Sequence, residues 1–428
     1  MISRSHVKKL MKEYIQESLT YCRTQNDRNL FQSWHTSQEL GDIHKRTNLV
    51  EYLWSENNLH KIYEKKENIS KTVSSFLNFY AIESQDFSFN EKLFSKFFNF
   101  FWRELTHSER ICKIVFPLSN FHVSEELRLD KEFRIVPFEQ SGKVIDIEER
   151  FASLLGRLSN KSVGYLDGQM KMGKMPVGAL LIQTFKEKKE PADYFCMRYG
   201  NLEASKRSMT LLQSLRLFKA GDIELDLCYT NIVSWFSIGV PRGFSFVNAN
   251  PFGQKFSLSK SELHALKKFR HCIEPYFLNT GRDAQIDIAL DFFNFSYLKL
   301  QEEERIIELM ISIEALFGTR SEAKYRIALR MANFLAKLPD KKKQIFQDIK
   351  ELYDLRSALV HGSRPKKKNG KTYYSKEELK AKRQTLENYV RDSLVLFINL
   401  RRNGVKVENF EENVILNKKI SYEKYICR

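Results

Sequence analysis

From about residue 283 to residue 401 the apolar side chains recur every three to four positions, the period of an α-helix and not of a strand. Only helix stop and start signals interrupt this run. Gly318 and Gly362 stand where helices end, Pro339 follows another stop, and Ser375-Lys376-Glu377-Glu378 has the form of a capping box. The expected helices cover 283–299, 302–317, 322–337, 341–361 and 375–401. Amphipathic helices joined by short connections pack as an antiparallel bundle.

Two regions of different texture precede the run. Residues 1–108 are polar and helical in pattern. Within them Leu93, Phe94, Phe97, Phe98, Phe101 and Trp102 lie at helical spacing. The polar residues between them are mixed in sign, which fits a core helix better than a membrane-surface helix. Residues 109–279 carry short β-branched or aromatic runs at 111–118, 133–138, 177–185, 223–230 and 233–240, with a helix at 208–218. Asn279-Thr280-Gly281 reads as a boundary. The expectation is an α+β multidomain chain: a helical N-terminal region (1–108), a β-rich mixed α/β middle domain (109–279) and an all-α C-terminal bundle (280–428). A length of 428 residues suits two or three domains of about 150 residues each.

Charge narrows the partners. Seventy Lys and Arg against 53 Asp and Glu leave a net charge of +17. Residues 281–428 hold 30 basic and 21 acidic side chains, and the first 280 hold 40 and 32, so the last third is the more basic per residue. Such an excess favours partners that carry phosphate, with a surface tuned for solubility as the plain alternative. An apolar fraction of 42% excludes a wholly disordered chain. No apolar run reaches the ~18 residues of a membrane span, and the charged start Met1–Glu17 does not resemble a signal peptide. The six cysteines (Cys22, Cys112, Cys196, Cys228, Cys272, Cys427) form no CxxC and stand at no zinc-finger spacing from a histidine. Scattered cysteines suit a reducing cytoplasm. No metal or other cofactor is expected.

One motif misleads. Gly168, Gly173 and Lys174 nearly spell a phosphate-binding P-loop, but that motif needs Ser or Thr next and a helix beginning there. Met175 and Pro176 follow instead, then a strand-like run. A basic hairpin turn is the better reading.

The informative tract is Tyr353 to Gly362. Projected from Ile345 at 100° per residue, Arg356 falls near 20°, between Ile349 near 40° and Leu352 near 340°, with Leu359, Val360 and Tyr353 flanking the same stripe. An arginine there must pair with an acid, or face a cleft or a second subunit. Glu314, likewise set among Ile307, Met310 and Ile311, needs a cation. Arg356, Arg326 and Arg330 are its candidates. A Glu–Arg pair that only fixes helix register is the bland alternative. His361 ends the helix, on one face with Asp354 and Ser357, where the helix dipole favours an imidazolium. Directly after it come Arg364, Lys366, Lys367, Lys368 and Lys371, then Tyr373 and Tyr374. Such a loop attracts a phosphate backbone and offers rings to unpaired bases, unless it is merely solvated.

Arg356 and His361 match the R-x4-6-H motif of HEPN domains, small helical bundles of many prokaryotic toxins and defence proteins. The wider tract 353–362 resembles the Apea-like branch, as do Ile313–Phe317 and Tyr325–Arg330; Phe116–Phe121 and Leu215–Gly221 are similar more weakly. Residues 1–108 match nothing. The resemblance implies a metal-independent endoribonuclease, of the toxin or antiphage kind, that dimerises through its bundle so that two motifs line one cleft. Arg356 and His361 would be catalytic; Glu314, Tyr353, Asp354 and Ser357 would support them. Arg364, Lys366, Lys367, Lys368 and Lys371 would bind RNA. The ribose 2′-hydroxyl would attack, His361 would move protons and Arg356 would hold the phosphate. The N-terminal and middle regions would sense a trigger or inhibitor. Two alternatives stand beside this: a non-catalytic RNA- or nucleotide-binding module, and a bundle that only dimerises.

Overall fold

The computed structural model describes residues 3–24, 44–60, 63, 65–84, 88–137, 163–166, 169–172, 177–188, 202–225, 229–232, 253–279, 283–318, 322–363 and 373–405. The N-terminal region is helical: α1 (Arg4–Thr24), α2 (His44–Trp54), the single turn α3 (Asn57–His60), α4 (Lys66–Ser84) and α5 (Glu91–Thr106). Asn90 caps α5, its side-chain oxygen accepting from the Leu93 N–H at 2.9 Å. The helix buries Phe94, Phe97, Phe98 and Phe101 against α1 and α4, so the aromatic stripe is core, as its mixed-sign flanks indicate.

An antiparallel sheet follows. Its strands are β1 (Glu109–Ser119), β3 (Leu127–Arg128), β4 (Phe133–Pro137), β7 (Val177–Lys188), β8 (Glu224–Leu225) and β9 (Tyr229–Ile232), with β2 (Phe121–His122) between β1 and β3. The order is β3-β4-β7-β1-β8, and β9 also pairs with β1. Register places Phe116 opposite Leu181 and Leu118 opposite Ala179. The two-residue alternation of these strands turns Ile114, Phe116, Leu118, Ala179 and Leu181 onto α6 (Leu202–Phe218), where they meet Leu211, Leu212 and Leu215. A polar chain crosses the same face: Ser208 donates to Gln183, which donates to the buried Glu132, both at 2.6 Å. Burial raises the Glu132 carboxyl above its usual range. The sheet's register shifts between Leu118 and Ser119, next to Gly178, where a Cβ would lie 2.0 Å from the Phe121 carbonyl oxygen. That close approach requires glycine.

The near-P-loop lies only partly among the described residues, which leave out Gly168, Gly173 and Lys174. Residues 163–166 (β5) and 169–172 (β6) form an antiparallel hairpin, and the chain after Lys174 and Pro176 is strand β7, not a helix. Residues 173–176 themselves lie outside the described residues, as does the expected strand 233–240. Strand β10 (Phe256–Ser257) runs parallel to β2.

The last region is helical: α7 (Leu263–Leu278), α8 (Ala284–Tyr297), α9 (Glu302–Phe317), α10 (Ala323–Leu335), α11 (Pro339–Val360) and α12 (Lys376–Arg402). Pro339 opens α11 at its first helical position, where a missing N–H costs nothing. Ser375 and Glu378 form the expected capping box of α12. From Leu386 on, that helix is buried on nearly every side, through Leu386, Val390, Leu394, Phe397 and Ile398 among others. Helix α7 lies before the boundary read at residue 279, yet Phe269, Ile273, Tyr276 and Phe277 belong to the bundle core. The core therefore crosses that boundary.

Candidate active site at the end of α11

Two backbone hydrogen bonds stop α11. The Gly362 N–H reaches the Leu359 carbonyl at 3.1 Å and the Ser363 N–H reaches the Ala358 carbonyl at 2.8 Å. This is a Schellman stop, and it puts Gly362 at φ +68°, a conformation that favours glycine. Its effect is to fix His361 as the last half-helical residue, its backbone N–H on the Ser357 carbonyl and its side chain exposed.

One and a half turns earlier, Arg356 projects towards α9. Its Nη2 lies 3.5 Å from Glu314 Oε2, so Arg356, one of the three candidate cations, pairs with Glu314. Arg330 instead donates to the Phe317 and Gly318 carbonyls at the end of α9. The pair is less buried than the helical projection implies: the side chains are 25% and 28% exposed. The reason is that α11 outruns its neighbours. Leu352 and Leu355 are buried, but Leu359 is only half-buried and Val360 is exposed. At 3.5 Å the contact is also longer than a tight charge-assisted hydrogen bond. Arg356 Nε is shielded from solvent with no hydrogen-bond partner. The guanidinium is thus held on one side by Glu314 while a quarter of the side chain stays exposed.

The supporting residues divide. Tyr353 is half-buried and packs on the bundle core. Asp354 is exposed and forms an ion pair with Lys324 of α10. Ser357 is half-buried on the His361 face. The basic loop residues Arg364, Lys366, Lys367, Lys368 and Lys371 lie outside the described residues. Beyond the loop, Tyr374 Oη donates to Glu351 Oε1 at 2.6 Å, and Lys382 pairs with the same carboxylate at 3.0 Å. Burial and the Glu351 carboxylate push the Tyr374 phenol up, so it stays protonated. The returning chain is thereby pinned to α11 at Glu351, nearly three turns before His361. Among the described residues no cluster of His, Cys, Asp or Glu has the arrangement of a metal site.

A second charged assembly escaped the sequence reading. Arg305 of α9 and Arg383, Glu387 and Arg391 of α12 are all within 2% of complete burial. Glu387 accepts from Tyr297 Oη at 2.8 Å, pairs with Arg383 and Arg391, and lies 3.6 Å from Arg305. Arg305 also pairs with Asp222, in the turn after α6, and Arg383 Nε reaches Glu302 at 2.8 Å. Arg216 of α6 sits 4.4 Å from the Tyr297 ring centre, and its carbonyl accepts from Arg391 Nε at 2.8 Å. The assembly joins the middle region to the bundle. Burial would raise both carboxyls, but Arg391, Arg383 and Arg305 outweigh it at Glu387, and Arg305 and Arg383 at Asp222, so both are held low. The signal was present: Arg383, Glu387 and Arg391 recur at i, i+4 and i+8 among Leu386, Val390 and Leu394.

Comparison with protein-family models, with curated proteins and with solved structures finds no match to the chain.

Proposed function

We propose that the chain is a metal-independent endoribonuclease of HEPN type, a toxin or antiphage effector whose N-terminal and middle regions sense a trigger or restrain the nuclease. The observation that carries this reading is the pairing of a half-buried Arg356, braced at 3.5 Å by Glu314, with an exposed His361 about 7 Å further along the helix axis. Those two groups suffice for cleavage by the neighbouring ribose hydroxyl. The 2′-oxygen attacks phosphorus and the bond to the 5′-oxygen breaks. His361 accepts the 2′ proton and returns one to the departing 5′-oxygen; imidazole does both near neutral pH. The products are a 2′,3′-cyclic phosphate and a 5′-hydroxyl. Arg356 forks onto the phosphate and stabilises the charge that develops there. The basic residues Arg364, Lys366, Lys367, Lys368 and Lys371 add phosphate contacts. A homodimer through the bundle would set two such pairs in one cleft.

The Arg356–Glu314 contact also favours a second reading, in which the pair is structural and the bundle binds RNA without cutting it. Incubating the purified chain with total RNA separates the two. Cleavage that is lost in Arg356→Ala and in His361→Ala supports the nuclease; binding without cleavage supports the module.

A further inference from the structure

Where α10 packs on α11 the bundle carries an exposed aromatic side chain that the active-site reading leaves unused. Tyr325, in the first turn of α10, is 52% exposed. Its ring meets Phe346 of α11 edge to face, with ring centres 5.5 Å apart at 84°. Phe346 is held in turn by the bundle core, and the Lys350 ammonium lies 5.3 Å from its ring centre. The residue before Tyr325 is Lys324, whose ammonium pairs with Asp354.

These contacts define a strip that leads to the candidate site. Phe346, Lys350, Asp354, Ser357 and His361 stand at i, i+4, i+8, i+11 and i+15 of α11, hence on one face. Phe346, on which the Tyr325 ring packs, lies fifteen residues and hence roughly 22 Å before His361 at 1.5 Å per residue. The ring of Tyr325 therefore sits several nucleotides of extended strand from the scissile position. Its surroundings on the strip are Lys324, Lys350, Asp354 and Ser357, which are polar. A protein partner would need a continuous apolar patch there, and among the described residues the strip offers none beyond the Tyr325–Phe346 pair. An oriented π-face with ammonium groups beside it suits an unpaired nucleotide, whose base stacks while its phosphates meet cations. Bases inside an RNA duplex are already stacked and do not reach such a ring.

We propose that Tyr325 is a base-stacking subsite, which receives one unpaired base of a single-stranded RNA whose scissile phosphate lies at Arg356 and His361, with Lys324 and Lys350 beside its backbone. This rests on the RNA-cleaving reading and gives it a substrate class: single-stranded RNA extended along α11.

The test uses the full chain and a fluorescent 2′-O-methyl RNA oligonucleotide, whose capped hydroxyl cannot attack. Binding is followed by anisotropy at fixed salt, with single-stranded and duplex forms. Tyr325→Ala should weaken single-strand binding about 5- to 150-fold, the loss of one stacked base, and leave duplex binding alone. Tyr325→Leu, which keeps apolar bulk without a π-face, should weaken it like Ala, while Tyr325→Phe and Tyr325→Trp should restore it. Melting curves of the Leu and Ala variants check the fold. Wild-type affinity in Tyr325→Ala, full affinity in Tyr325→Leu, or an equal loss on duplex would overturn the subsite while leaving the nuclease standing. A chain that binds neither RNA form at all would overturn both.

Discussion

Changing Glu387 to Gln tests the buried charge assembly at its centre. The substitution keeps the shape and removes one charge. Its remaining side-chain oxygen can serve Tyr297 and Arg391, but its amide then points donors at the Arg383 guanidinium, where Glu387 now accepts. Arg305 keeps Asp222 and Arg383 keeps Glu302, whereas Arg391 loses its only described carboxylate and retains the Arg216 carbonyl and Asn388. Removing one partner of a buried ion pair costs about 3–5 kcal/mol. The surviving acceptors place this case near the lower end, about 3 kcal/mol. At 2–4 °C per kcal/mol for a domain of this size, the melting temperature should fall by roughly 6–12 °C. Thermal unfolding by circular dichroism at pH 7 reads the shift. The same assembly sets the response to acid. Glu387 and Asp222 are held below their ordinary values of 4.5 and 3.8, so their stabilisation is complete above those values and is lost as pH falls through the lower folded ones. Wild-type protein should therefore lose stability steeply below about pH 4, and Glu387→Gln less steeply. If Glu387→Gln melts within about 2 °C of wild type, the assembly contributes nothing net and the reasoning fails.

Glu314→Gln should be far milder, at most about 1 kcal/mol by urea unfolding, because the pair with Arg356 is part-exposed and long; a loss of several kcal/mol would restore the fully buried pair expected from the helical projection. Gly362→Ala should cost about 1–2 kcal/mol through its positive φ alone, since a Cβ there meets nothing within 4 Å, and should reduce RNA cleavage by displacing His361; an unchanged melting curve would refute the glycine stop. Changing Lys366, Lys367 and Lys368 together to Ala should weaken RNA binding and lower the log–log salt slope by about 2, near 0.7 per lost phosphate contact. A wild-type slope would make the loop a solvated connector.

The helical period carried most of what was legible. It placed the bundle helices to within a few residues, because Gly318, Pro339, Gly362 and Ser375 mark their ends chemically. It also set Arg356 towards Glu314. It overstated their burial because a wheel has no information about length: α11 runs past the helices it packs on, so Val360 is exposed although its direction is inward. The same projection applied to α12 would have exposed Arg383, Glu387 and Arg391 as charges in an apolar face. Asp222, their neighbour from the middle region, lies 83 residues from Arg305 and carries no local signal. Tyr325 was equally silent, since an aromatic at a helical position reads as core until its neighbours are known. The boundary at residue 279 followed a turn signal, while the packing of α7 on the bundle depends on contacts formed across it.

The central claim is that Arg356 and His361 cut RNA without a metal. RNA incubated with the full chain in excess EDTA, followed by analysis of the fragment ends, tests it most directly. The account predicts undiminished cleavage, 2′,3′-cyclic phosphate and 5′-hydroxyl ends, and no fragments from Arg356→Ala or His361→Ala. Cleavage that vanishes in EDTA and returns with magnesium or manganese, or that leaves 5′-phosphate ends, or that survives both substitutions, would contradict it.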